Sequence, residues 1–129
     1  MSTLNVANIQ SLTTSTFPLV KNSAGTEIGR YCRAFCRFNG TGSGSMTSEF
    51  NLSGVTDNGV GDYTFSFTNA LPDANYAFTI GHSAPVNSGH CIAGVFTAVP
   101  TTLAIRVDVF NSSNSTVRAD DPRICVAIF

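Results

Sequence analysis

The feature that most constrains the fold is an alternating run of aromatic and hydroxyl side chains at residues 62–68, directly after a turn. A period of two places every second side chain on the same face of a strand. The turn contains Asn58, Gly59 and Gly61, which tolerate positive φ and favour a hairpin. The pattern therefore predicts two strands around a turn. The aromatic row on one face consists of Tyr63, Phe65 and Phe67.

Similar alternation recurs along the chain from Gly29 onward, and no helical periodicity interrupts it. The predicted strands are residues 31–38, 46–53, 62–68, 76–80, 91–99, 103–110 and 123–129. Phe50 and Leu52 are expected on one face of the second strand, and Leu103 and Ile105 begin an inward row on the sixth. The fold is therefore predicted to be all-β, an antiparallel β-sandwich of about seven strands.

Two of these strands have a second face that needs an explanation. In residues 31–38, the core face is predicted to hold Cys32, Ala34, Cys36 and Phe38. The opposite face carries Arg33 and Arg37 among aromatic side chains, which fits either a polar ligand or phosphate site or an exposed or intersubunit face. The last strand, residues 123–129, is apolar on both faces. It must be central in a sandwich or lie at a contact between subunits.

The first 28 residues differ from the rest, because their apolar residues are isolated in a polar background. A small hairpin is predicted here, with its turn near residues 22–25. Such a segment cannot bury much surface alone. It is interpreted as an attachment or intertwining segment, with a partly disordered leader as the alternative, and residues 29–129 as the sandwich domain.

The composition excludes several classes of protein. Charged residues make up 12% of the chain, about half the typical fraction of roughly 25%. Either small polar residues maintain solubility, or neighbouring subunits cover part of the surface. The net charge of −1 disfavours binding to nucleic acid. No segment approaches the roughly 20 apolar residues of a membrane span, and the amino terminus does not resemble a secretory signal.

The four cysteines are Cys32, Cys36, Cys91 and Cys125. Four residues of strand advance about 13 Å, beyond the roughly 7 Å limit for a disulfide, so the first two should not bridge each other. We expect free, buried thiols that pack as small hydrophobic groups. A zinc site is disfavoured because Cys-x-x-Cys is absent.

No catalytic constellation emerges from the remaining polar residues, so the chain is not predicted to be an enzyme or to bind a cofactor or metal. His82 and His90 could be metal ligands or form a pair with Cys91, but they are better explained as loop residues. Aspartates at residues 57–62 and 120–121 could bind a cation or fix turns through side-chain hydrogen bonds. A Gly-x-Ser-x-Gly motif is absent and only two glutamates occur, which disfavours hydrolase chemistry.

Three blocks of the sequence carry a resemblance to a known family. They are Tyr31-Cys-Arg-Ala-Phe-Cys-Arg-Phe-Asn-Gly-Thr-Gly42, residues 56–68 continued by Leu71-Pro-Asp-Ala-Asn-Tyr76, and Cys125-Val-Ala-Ile-Phe129. Together they span roughly residues 29–129. This part of the chain resembles the C-terminal domains of phage tail fibres and related small phage structural proteins, especially from phages of aquatic bacteria.

The resemblance implies a virion protein, made in the host cytoplasm and located in the tail. It would be a short tail fibre or receptor-binding protein that forms a homotrimer and recognises a glycan or protein on the host surface. Residues 1–28 would attach it to other virion proteins. The alternative is a capsid decoration or tail-collar protein with a purely structural role, and a virion-associated hydrolase is a third, disfavoured possibility.

Recognition of the host would fall to the loops, because loops vary over a rigid scaffold. The two longest irregular stretches are residues 81–90 and 111–122. Asparagine amides and histidine rings suit hydroxyl-rich ligands. The candidate ligand-binding residues are His82, Asn87, His90, Asn111 and Asn114.

Overall fold

A computed structural model describes most of the chain and divides it into two compact units. The described residues are 9, 18–42, 44–82, 91–94, 98–111 and 114–129, with the backbone alone for residues 82, 91–94, 111 and 114–116. The first unit comprises residues 1–31 and the second residues 32–129. The sequence predicts this boundary between residues 28 and 29.

The described part of the first unit contains the predicted hairpin. Strand β1 (Val20–Lys21) pairs antiparallel with β2 (Glu27–Gly29). Asn22 organises the turn, because its Oδ1 accepts hydrogen bonds from the backbone N–H groups of Ala24 and Thr26, each at 3.0 Å. Gly25 adopts φ 81°, a conformation that glycine reaches without the steric cost of a Cβ.

The second unit is an antiparallel β-sandwich with nine strands among its described residues, rather than about seven. These strands are β3 (Ala34–Asn39), β4 (Ser45–Phe50), β5 (Leu52–Gly59), β6 (Asp62–Phe67), β7 (Phe78–His82), β8 (Cys91–Gly94), β9 (Ala104–Asn111), β10 (Asn114–Arg118) and β11 (Ile124–Ile128). One sheet has the order β4-β3-β11-β7. The other has the order β10-β9-β6-β5, and β8 also pairs with β9. The predicted all-β class is confirmed.

The core lies between the two sheets and is built from the predicted alternating rows. Phe38 of the four-stranded sheet contacts two aromatic rings of β6, with ring centroids 4.9 Å from Tyr63 and 5.7 Å from Phe65, both edge to face. The rows that supply most of the buried side chains are Ala34, Cys36 and Phe38; Tyr63, Phe65 and Phe67; Ile105, Val107 and Val109; and Ile124, Val126 and Ile128. The predicted aromatic row is therefore confirmed as a core row.

The prediction of one strand over residues 46–53 is wrong. Asn51 has φ 56°, which ends β4 and lets β5 enter the other sheet. Its side chain holds this corner: Nδ2 donates to Arg33 O at 3.1 Å, and Oδ1 accepts from Asn69 N at 2.8 Å. As a result Phe50 is 46% exposed while Leu52 is buried, so the two residues do not share a face.

Three smaller expectations also need correction. Residues 111–122 are not a continuous loop, because β10 occupies Asn114–Arg118 and pairs with β9. Leu103 precedes β9 and is exposed rather than inward-facing. Cys125 is exposed, not buried, because it lies on the outer face of β11. Cys32 and Cys36 carry free thiols, as predicted, but Cys32 precedes β3 and is only half-buried, whereas Cys36 is buried.

Candidate functional site

The outer face of the four-stranded sheet is the candidate functional site. Strand β11 is central, between β3 and β7, and its inner row is fully packed in the core. On the opposite face, the register places Phe50, Phe35, Ala127 and Thr79 in one row across all four strands. Within the described part of the sandwich unit, only one side of this strand, which is apolar on both sides, is packed in the core.

Two phenyl rings form the largest apolar feature of this face. Phe35 and Phe50 are cross-strand neighbours, and their rings stack with centroids 5.9 Å apart. They remain 39% and 46% exposed. Stacking of this kind stabilises the pair, but it leaves one side of each ring in water. We call Phe35 and Phe50 the phenyl pair.

Small side chains beside the phenyl pair leave a shallow hollow of about 410 Å³. Its floor is formed by small side chains of β7 and β11, which are Thr79, Gly81, Cys125 and Ala127. Phe35 forms one wall, and Arg37 carries the charge at the margin. A single chain thus presents a projecting aromatic pair and an apolar depression on the same sheet face.

The residues predicted from the loops occupy strand ends where they are described. His82 ends β7 and pairs through its backbone with Ile124, whereas Asn111 ends β9 in the other sheet. Asn111 is paired with both Cys91 and Asn114, so the starts of β8 and β10 lie beside the end of β9. Asn87 and His90 lie outside the described residues. The role of these five residues in ligand binding stays a prediction.

A charged cluster lies on the outer face of the five-stranded sheet. Arg106 contacts Asp62 through two hydrogen bonds, at 2.8 Å from Nε and 2.6 Å from Nη2. Arg118 lies between the two carboxylates, 3.2 Å from Asp62 and 2.6 Å from Asp108. The hydrogen bonds from Arg106 hold the pKa of Asp62 below its ordinary value, against the opposing effect of burial. Because every charge has an opposite partner, the cluster is best explained as structural.

The other perturbed groups also have structural explanations. The one hydroxyl hydrogen of Tyr63 is shared between Asp120 Oδ1 at 2.6 Å and Gly40 O at 3.0 Å, and burial raises the pKa of Tyr63. Burial likewise raises the pKa of Cys36 to about 12, so its thiol is a poor nucleophile.

Among the described residues, no group of three or more His, Cys, Asp or Glu side chains could hold a metal ion. The same part of the chain contains no helix that is long and apolar enough to cross a membrane.

Fold and site together define an antiparallel β-sandwich whose described residues leave the outer face of the four-stranded sheet partly exposed. No family model matches the chain, and neither the curated proteins nor the solved structures include a match. The outer face was only partly predictable. The two-sided apolar pattern of residues 123–129 indicated it, but the contribution of Phe50 depended on the corner at Asn51.

Proposed function

We propose that this chain is a structural protein of a bacteriophage virion, namely a short tail fibre or receptor-binding protein whose sandwich unit assembles as a homotrimer. The observation that carries the proposal is the partly exposed apolar face with its phenyl pair. An apolar sheet face of this kind is typical of a surface that is buried in an assembly. The sequence resemblance to phage fibre domains supports the same reading.

Copies of the same chain are the partners that this face fits best. Phe35 and Phe50 project from β3 and β4, while the hollow opens over β11 and β7. A phenyl pair from one copy can therefore fill the hollow of another, since both complementary features belong to one face. Burial of the two half-exposed rings would stabilise the assembly by about 1–2 kcal/mol for each ring. The low charged fraction of 12% also fits a chain with part of its surface covered.

The remaining parts of the chain have separate roles in this proposal. Residues 1–28 attach the assembly to other virion proteins. Residues 81–90 and 111–122, which include the end of β7 and all of β10, recognise a host glycan or protein, with contacts from His82, Asn87, His90, Asn111 and Asn114. The chain acts by binding and assembly rather than by catalysis.

The oligomeric state of the purified chain tests whether the outer face of the four-stranded sheet is an assembly surface. Light scattering of the purified full chain should give the mass of a trimer. A variant with Phe35→Ser and Phe50→Ser should give the mass of one chain, because the projecting surface is removed. Val60→Ser and Leu103→Ser is the matched control, since these side chains are 60% and 62% exposed elsewhere in the sandwich and should leave the trimer intact. A wild-type chain that remains a monomer at high concentration contradicts the proposal.

The alternative is a capsid decoration or tail-collar protein built on the same assembly, and the position in the virion distinguishes the two. Gold-labelled antibody should bind at the tail periphery for a fibre and over the capsid lattice for a decoration protein. For a fibre, His82→Ala with His90→Ala should reduce adsorption to host cells while the trimer remains. Unchanged adsorption would reject those two histidines as receptor contacts.

A further inference from the structure

A second cleft, of about 290 Å³, lies at the other end of the outer face. It opens where β3 turns into β4, two to four residues along β3 from Phe35. Its lining is polar and cationic, and comprises Arg37, Asn39, Ser45, Thr47 and Arg123, with Phe38 and Pro122. Among the described residues, no acidic side chain lines it. Arg37 brings a positive charge to the cleft in a chain whose net charge is −1.

The two arginines reach this cleft because of the strand register. Arg37 is opposite Cys125 on the neighbouring strand, and Arg123 precedes Ile124, which is opposite Phe38. Phe38 and Ile124 are buried, so Arg37 and Arg123 both point to the outer face as diagonal neighbours. Diagonal partners in a sheet lie within the reach of long side chains. Arg37 has no ion-pair partner among the described residues, so its guanidinium is available to a ligand.

Asn39 presents a donor rather than an acceptor to the cleft. Its Oδ1 already accepts two hydrogen bonds from Thr41, at 3.0 Å from the backbone N and 2.7 Å from Oγ1. Thr41 thereby fixes the amide orientation, and the Nδ2 group, which has no acceptor in the described part of the chain, is left for a ligand. The Ser45 hydroxyl adds a further donor. A cleft lined by guanidinium, amide and hydroxyl donors matches the oxygen atoms of an anion.

We propose that this cleft binds the oxyanion of a sugar acid or sugar phosphate. The guanidinium of Arg37 pairs with the oxyanion, assisted by Asn39 Nδ2. The volume exceeds that of a bare ion and lies at the lower limit of small-molecule sites, which leaves space for one sugar ring beside the anionic group. Hydroxyls of the ring would meet Ser45 and Thr47, which can donate and accept. The cleft shares Arg37 with the lining of the hollow, and its other lining residues are separate from the hollow.

Calorimetric titration of the full chain tests the proposal with three probes. These are trigalacturonate, glucose 6-phosphate and neutral galactotriose. Trigalacturonate or glucose 6-phosphate should bind, with affinity that falls as salt increases, and the neutral sugar should not. Binding of one anionic probe and not the other identifies carboxylate or phosphate as the source. Absence of binding by both, or equal binding of the neutral sugar, overturns the proposal.

Variants locate the binding. Arg37→Gln should weaken the affinity for the anionic probe about tenfold or more, because a charge-assisted contact is lost. Asn39→Asp should weaken the affinity for the anionic probe at least as much. One carboxylate oxygen can still accept from Thr41, but the other replaces the donor Nδ2 group and brings a negative charge that repels the probe. Arg30→Gln, with the same loss of charge in the first unit, is the control and should bind as the wild type does. A melting temperature close to that of the wild type establishes that each variant is folded. Equal affinities of the Arg37 variant and the control would overturn the site.

Discussion

Asp62 and Asp108 lie directly opposite each other on adjacent strands, and both carboxylates are buried, at 2% and 0% exposed. Two like charges in cross-strand positions are destabilising unless cations separate them. Arg118 spans the two, and Arg106 binds Asp62 from the other side. The centre of the five-stranded sheet therefore depends on the ionised state of Asp62.

The first prediction concerns the acid sensitivity of this cluster. The pKa of Asp62 is lowered in the folded state, so its contribution to stability is present above the ordinary carboxyl pKa of 3.8 and is lost as pH falls through the lower folded value. Arg106→Gln should therefore lower the free energy of unfolding at pH 7, and its difference from the wild type should shrink as pH falls below 3.8 and through the lower folded pKa of Asp62.

Urea unfolding across this pH range provides the measurement. Arg37→Gln is the control, because it removes an arginine that has no ion pair among the described residues, and its difference from the wild type should not depend on pH in this way. A difference for Arg106→Gln that stays constant down to pH 2 would contradict the role assigned to the Asp62 carboxylate.

A second prediction concerns the phenol of Tyr63, which connects the core to the segment before β11. Tyr63→Phe keeps the packing of the ring but removes the hydroxyl contacts to Gly40 O and Asp120, whose Oδ1 still accepts from Gly61 N. We expect a loss of about 1–3 kcal/mol in the free energy of unfolding. Tyr76→Phe is the matched control, since its hydrogen bonds are longer, at 3.2 and 3.3 Å, and its loss should be smaller. Equal losses in urea unfolding would count against this explanation.

A third prediction separates backbone strain from steric exclusion at Gly61. Its φ is 63°, and a Cβ at this position would lie 2.4 Å from Val109 O and 2.7 Å from Ala119 N. Backbone atoms cannot move away cheaply, so Gly61→Ala should cost more than about 3 kcal/mol. Gly42 has φ 73° but open space around the same position, and Gly42→Ala should cost only about 1–2 kcal/mol. Thermal unfolding of both variants measures the two losses of stability. Similar losses would show that the close contact between a Cβ at residue 61 and the neighbouring backbone atoms is unimportant.

A fourth prediction uses the cysteines to report on the outer face. The Cys125 thiol is exposed in the single chain, whereas Cys36 is buried and has a pKa raised to about 12. Maleimide should therefore label Cys125 in the monomeric Phe35→Ser and Phe50→Ser variant, and Cys36 only after unfolding. In the assembled wild type, labelling of Cys125 should be slower, because the hollow is filled. Peptide mass mapping after brief labelling measures both rates, and equal rates for Cys125 would place assembly on another surface.

Much of the sandwich could be predicted because alternation is a local property. Tyr63, Phe65 and Phe67 occupy one face whatever the neighbouring strands are, and the same holds for Ala34, Cys36 and Phe38. The prediction failed at Asn51, because one residue at positive φ reverses which side chains face inward without interrupting the apolar pattern.

The sequence by itself determined the all-β class, the inward rows and the two-sided apolar character of the last strand. Only the tertiary structure decided that β11 pairs with β3 and β7, that Phe35 meets Phe50, and that Arg37 and Arg123 border one cleft. The physical reason is that side-chain alternation arises within a strand, whereas neighbouring strands are selected by pairing between residues far apart in the chain. The outer face, with its phenyl pair, hollow and cationic cleft, exists only once those strands lie side by side.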